Sequence, residues 1–294
     1  MAGLIWEAAE KIMIKATIGI TCALVILSCL PAHPVFAENK PTHVGKDAVS
    51  SLEMGRSYHD RRDYRLAIRE YDKFIMMVPE SADAHYRRGL SYYYLGSFKR
   101  AIRDFNRALK INPKHVEAYY VRGAARYNLG DPDLAIIDYN AALKLRPMFA
   151  ETYNNRGAAQ VKLGNIEMAE KDFSRATELS PRFAEAYYNR GTVHQKLGNL
   201  TQAIRDFDTT IELNPKHASA YYNRGVTYGK LGDKKKEAES INRAVALNPR
   251  FDVRRDSRNK QLNNKKAMED GEVRMLPHRL SEEDSNDFIH DESD

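Results

Sequence analysis

Six prolines stand at one fixed interval: Pro79, Pro113, Pro147, Pro181, Pro215 and Pro249 are each 34 residues from the next. Six glycines keep the same interval (Gly55, Gly89, Gly123, Gly157, Gly191 and Gly225), and a second glycine series runs Gly96, Gly130, Gly164, Gly198, Gly232. Composition does not produce three interlocked series. The middle of the chain is therefore an internal repeat, and a period in this range marks stacked supersecondary units. Counted from residue 48, the units are 48–81, 82–115, 116–149, 150–183, 184–217 and 218–251. Positions below are numbered within a unit.

Each unit reads as two helices. In residues 184–215, Tyr187, Tyr188 and Gly191 fall at helical spacing. Leu197-Gly198-Asn199 then ends the first helix, because glycine accepts the left-handed conformation that closes one. Ala203, Ile204, Phe207, Ile211 and Leu213 form the apolar stripe of a second helix. Pro215 stops it, having no amide donor and clashing with the preceding turn. Strand alternation and hairpin dipeptides are absent from the period. The sequence predicts an all-α solenoid of six helical hairpins.

Position 20 is alanine in the first five units (Ala67, Ala101, Ala135, Ala169, Ala203), and position 24 is aromatic (Tyr71, Phe105, Tyr139, Phe173, Phe207). Position 27 is Ala108, Ala142, Ala176 and Ala244, with Phe74 and Thr210 departing. With glycine at 8 and proline at 32, this pattern over residues 48–251 resembles the tetratricopeptide repeat. Small residues at 8 and 20 let the two helices approach, and the ring at 24 fills the space beside them. One hairpin cannot bury its apolar face alone, so neighbours must stack. Position 11 departs in the middle units (Arg126, Gln160, His194), which predicts a less buried site there. The end units depart too, with Ser51 at position 4 and Glu237 at position 20, as capping repeats do.

The flanks differ from the repeats. Residues 16–30 are an apolar run preceded by Lys11 and Lys15, followed by Val35-Phe36-Ala37 and then polar residues. These are the parts of a secretory signal, so residues 1–37 are read as a signal peptide and 38–47 as a linker. The run is short for a membrane span, which needs ~20 apolar residues. Lipidation at Cys29 and an uncleaved anchor are the rival readings. The two cysteines, Cys22 and Cys29, both lie in this segment, so a chain cut after Ala37 has neither a disulfide framework nor a thiolate metal site. Residues 252–268 are expected to form a polar capping helix, and the acidic stretch 269–294 an unstructured tail.

Chemistry is sparse. Phosphate-binding loops, paired metal-ligand histidines on a helix and nucleophile elbows are all missing, so no catalytic residues, metal or cofactor are expected. His115 and His217 follow Pro-Lys in the turn between units and read as polar turn residues, and His85 reads as packing. Arginine recurs at position 7 (Arg88, Arg122, Arg156, Arg190, Arg224), with aspartate at 23 in four of those units (Asp104, Asp138, Asp172, Asp206). The pairs are expected to bridge the two helices of a hairpin.

The resemblance implies that the first helices build a concave inner wall from positions 2, 5, 6, 9, 12 and 13. The candidates for a peptide groove there are Tyr86, Tyr93, Tyr120, Tyr127, Tyr188 and Tyr222, with Asn154, Asn155, Asn189 and Asn223, and Lys162, Lys196 and Lys230. Tyrosine gives large contact area with a polar tip, which suits protein recognition. Asn155, Asn189 and Asn223 at position 6 are similar to the asparagine ladder of the eukaryotic O-linked N-acetylglucosamine transferase. Amides of that kind can hold an extended backbone. The family's carboxylate clamp at positions 5 and 9 is not matched, since position 9 is Arg56, Leu90, Ala124, Ala158, Thr192 and Val226. The expectation is a non-catalytic, exported scaffold with protein or peptide partners. A lipid-anchored assembly factor is the variant. A nucleic-acid-binding solenoid, motivated by the net charge of +6, is the other class.

Overall fold

The structure is a computed structural model and describes residues 45–252. The expected signal peptide, residues 38–44 of the linker, residues 253–268 of the capping helix, the acidic tail and Cys29 lie outside the described residues, and the first helix begins at Lys46, two residues inside the expected linker. Those residues form twelve α-helices and no strand. The helices are α1 (Lys46–Asp60), α2 (Tyr64–Met77), α3 (Ala82–Tyr94), α4 (Phe98–Ile111), α5 (Val116–Leu129) and α6 (Pro132–Leu145), followed by α7 (Ala150–Lys162), α8 (Ile166–Leu179), α9 (Ala184–Lys196), α10 (Leu200–Leu213), α11 (Ala218–Lys230) and α12 (Lys234–Leu247). A 3₁₀ turn, Pro249–Phe251, closes the last unit. None of these helices is long and apolar enough to cross a membrane.

The boundaries follow from the punctuating residues. Every second helix ends two residues before its proline. The intervening residue (Val78, Asn112, Arg146, Ser180, Asn214 or Asn248) leaves helical backbone, as a residue preceding proline must. Its N–H still donates to the carbonyl of position 27, so the last turn is closed. Gly130, at φ +93°, turns the chain from α5 into α6, and its counterparts do the same in the later units. In the first unit Arg62 holds this place at φ +65°.

Each hairpin packs helix on helix, and each second helix packs on the first helix of the next unit. First helices also touch one another from unit to unit, more than second helices do, so the stack bends with the first helices inside. The core is the predicted one: Ala67, Ala101, Ala135, Ala169 and Ala203 and the five rings at position 24 are fully buried. Burying one such ring contributes about 1.5–3 kcal/mol. The glycine at position 8 is required by closeness, since a Cβ on Gly191 would stand 2.8 Å from Phe207. The departures are accommodated locally. Thr210 donates its hydroxyl to the Asp206 carbonyl at 2.8 Å, which satisfies it in the core. Glu237 fits in the sixth unit because Gly229 faces it, where a Cβ would lie 2.6 Å from the carboxylate.

Candidate functional site

The periodic arginines are structural, and they join more than one hairpin. Arg88, Arg122, Arg156 and Arg190 each donate twice to the aspartate at position 23, at 2.6–3.0 Å. Their remaining nitrogen reaches back to the second helix of the preceding unit: Asp72, Asn106, Asn140, and in the case of Arg190 Thr177. Arg224 meets Ser240 in place of an aspartate and keeps the backward bond, to Asp208 at 2.6 Å. The guanidinium of Arg122, Arg156, Arg190 and Arg224 also lies over the tyrosine at position 4, 5.3–5.4 Å from the ring centre. The aspartates are buried. At Asp104 burial opposes ionisation, but the Arg88 hydrogen bonds, the Arg88 charge and the His85 ring nitrogen 3.8 Å away hold the carboxyl below its ordinary range.

Most of the expected groove residues are in the seam between units. Tyr86, Tyr93, Tyr120, Tyr188, Asn154, Asn155, Asn189 and Asn223 are all buried, which corrects the placement of these eight on an open wall. The reason is a ring at position 34. His115 covers Tyr86 at 4.5 Å, Phe149 covers Tyr120 at 5.0 Å, and His217 covers Tyr188 at 4.6 Å. The asparagines then satisfy the polar tips beneath. Asn155 donates to the Tyr120 hydroxyl (2.9 Å), Asn189 to the Asn154 side-chain oxygen Oδ1 (2.8 Å) and Asn223 to the Tyr188 hydroxyl (3.2 Å). The row of amides is real as geometry, but it links one unit to the next. Tyr127 and Tyr222 are half-buried, the latter stacked on Phe251 at 4.8 Å.

Lys162, Lys196 and Lys230 are the candidates that stand exposed, each in the last turn of an inner helix. Lys162 lies over the Tyr127 ring at 4.6 Å and donates to the Tyr127 carbonyl at 3.3 Å. The three lysines repeat at the 34-residue period.

Other expectations need correction. His115 and His217 are buried, not polar turn residues, and His217 caps α11 by accepting from the Ala220 N–H at 3.1 Å. Gln160 is buried, against the expectation for position 11. Its side-chain oxygen accepts from Asn165, while Arg126 and His194 turn toward Asp138 and Asp206. Pattern reading also missed two acidic groups at position 2. Glu117 sits between His115 and Arg146. Burial would raise its carboxyl, but the His115 ring nitrogen 3.2 Å away, its own backbone and the Arg146 charge outweigh that and bring it to about 2. Asp83 is held by Arg87 at 2.8 Å and Arg56 at 3.2 Å. Glutamate or aspartate recurs at position 2 in four units, and that was the available signal. Among the described residues no group of three histidine, cysteine, aspartate or glutamate side chains is placed to hold a metal ion.

Hairpins joined in this manner, with small residues inside and nearest-neighbour seams, define an α-solenoid repeat protein. Sequence models described as tetratricopeptide repeat match residues 52–93, 86–147, 150–183, 184–217 and 207–239, and the chain belongs to that family. Among solved structures it is similar to MamA, at 27% identity over 55% of this chain and 94% of that one, with TM-score 0.52. It is similar also to YrrB, described as a TPR protein with an unusual peptide-binding site: 25% identity, 67% and 97% covered, TM-score 0.53. PilW, described as a type IV pilus biogenesis factor, shares the fold at 21% identity, with 74% and 99% covered and TM-score 0.63. Compared by sequence with curated proteins, the chain has no match. The repeats and these neighbours support a protein-interaction scaffold.

Proposed function

We propose that this chain is a non-catalytic scaffold of the cell envelope that holds extended segments of partner proteins along its inner helices. The observation that carries the reading is the row Lys162, Lys196 and Lys230, exposed once per unit at the ends of α7, α9 and α11. Three cations at one spacing suit an extended chain with carboxylates or carbonyl oxygens at matching intervals, with Tyr127 as a contact ring beside the first. The peptide-binding description of YrrB favours the same use of the fold. The asparagines at position 6 are excluded from this role by their burial. Envelope location rests on the secretory pattern of residues 1–37.

The test expresses the full chain, recovers it from the envelope fraction and captures partners from envelope extract. A Lys162→Glu/Lys196→Glu/Lys230→Glu variant is expected to lose at least about 90% of specific partner yield, since like charges across an interface cost several kcal/mol. Equal capture by the variant would overturn the lysine row. Recovery from the cytoplasmic fraction with residues 1–37 intact would overturn the envelope location.

A further inference from the structure

Charge is distributed unevenly along the solenoid. Residues 61–114 hold thirteen lysines and arginines against six carboxylates, whereas residues 115–248 hold nineteen against sixteen. Five of those six carboxylates are already engaged. Glu70 is held by Lys73, Asp72 and Asp104 by Arg88, Glu80 by Arg107, and Asp83 by Arg87 and Arg56. Arg65 and Arg69 on α2, and Lys99, Arg100, Arg103 and Lys110 on α4, are left over. All six are exposed, and none makes an ion pair among the described residues. Arg65 and Lys99 hold the same position in successive units, as do Arg69 and Arg103. The outer helices of the first two units therefore present cations in register. Like charges one helical turn apart repel by a few tenths of a kcal/mol per pair, so the face is matched to a polyanion.

The chain carries a polyanion of its own. Residues 282–294 contain seven carboxylates and no lysine or arginine. The 29 residues between the last described position and Glu282 can reach about 100 Å at full extension. Four units of helices packed 8–10 Å apart occupy at most roughly 80 Å. We propose that residues 282–294 dock in the same chain against the outer face of α2 and α4. An open depression lined by Gly96, Phe98, Lys99, Arg100 and Leu129 adjoins the cationic row and gives Phe288 and Ile289 an apolar seat. Tethering favours this occupant, since a linked segment is present at an effective concentration of about a millimolar.

A water-soluble carbodiimide, which joins lysine amines to carboxylates in contact, tests the proposal on the full chain, with peptide mass spectrometry as readout. Lys99 and Lys110 are expected to couple to carboxylates within 282–294. Yields should fall at least about tenfold in 0.5 M salt, where charges are screened within a few ångströms. A similar fall is expected in an Arg65→Gln/Arg69→Gln/Arg100→Gln/Arg103→Gln variant, whose changes are all exposed and whose helicity circular dichroism checks. In a mixture of isotopically light and heavy chains the linked peptides should share one label. Coupling to Lys216 and Lys234 without Lys99 and Lys110 overturns the proposal, as do mixed labels or an unchanged yield in the variant.

Discussion

Arg62 is the one non-glycine residue at positive φ among the described residues, in a slot that Gly96, Gly130, Gly164, Gly198 and Gly232 fill elsewhere. A side chain in left-handed backbone costs about 1–2 kcal/mol, while glycine returns part of that through the entropy of the unfolded chain. Arg62→Gly should therefore raise stability by about 0.5–1 kcal/mol, read as a higher urea midpoint with an unchanged slope. A lower midpoint would mean that the arginine makes a contact worth more than the strain. The glycine series was visible in the sequence, and so was its late start at the second unit; the backbone shows why the first unit is different. The Arg–Asp pairs were equally legible, because two oppositely charged positions recurring at a fixed interval on facing helices leave little alternative. Tyr120 and Asn155 were not. Their spacing assigns a helix face, but which ring covers that face depends on Phe149, a residue that sequence alone places in a loop.

At the scale of the element, the first hairpin carries its own pH sensitivity. His59, in the last turn of α1, stands against the stacked rings of Tyr64 and Tyr94, with Nδ1 2.9 Å from the Ser91 hydroxyl. Burial lowers its pKa from 6.5 to about 4; Asp60 opposes the shift and Arg87 adds to it. A histidine depressed in the folded state stabilises fully above pH 6.5, where both states are neutral. That contribution is lost as pH falls through 6.5 toward 4, because the unfolded chain takes the proton first. Unfolding in urea at pH 7 and pH 4.5 should differ by an extra ~1–3 kcal/mol from this group. His59→Gln should remove that part of the difference, and an unchanged difference would reassign it to the carboxylates. The two helices of each unit were legible, since proline ends the second helix in all six units and glycine closes the first helix in the last five. The expected polar turn at His115 and His217 failed because Pro-Lys-His looks solvated in sequence, while the turn aims the third ring inward onto Tyr86 or Tyr188.

For the whole molecule, stability is a sum of units and the seams between them. The sixth unit is closed by Phe251 on Tyr222, with Phe251 1% exposed. Phe251→Ala should cost about 3–5 kcal/mol locally. Hydrogen exchange is expected to speed up in α11 and α12, with α5 through α8 unchanged. Equal acceleration in all units would mean that the solenoid opens as one body and that seams do not limit cooperativity. The arginine contacts carry one more consequence. Arg88, Arg122, Arg156 and Arg224 each bind a residue sixteen places ahead and another sixteen behind. Each unit therefore holds half of two latches, and the chain can lose or gain material without leaving a latch open only in whole periods. A cut of 34 residues in the interior rejoins matching halves, whereas a cut of any other length leaves the latch that spans the junction with its partner at the wrong spacing. The gene for such a protein can lengthen or shorten its solenoid by recombination between copies, and the arginines act as the gauge that keeps each product in step.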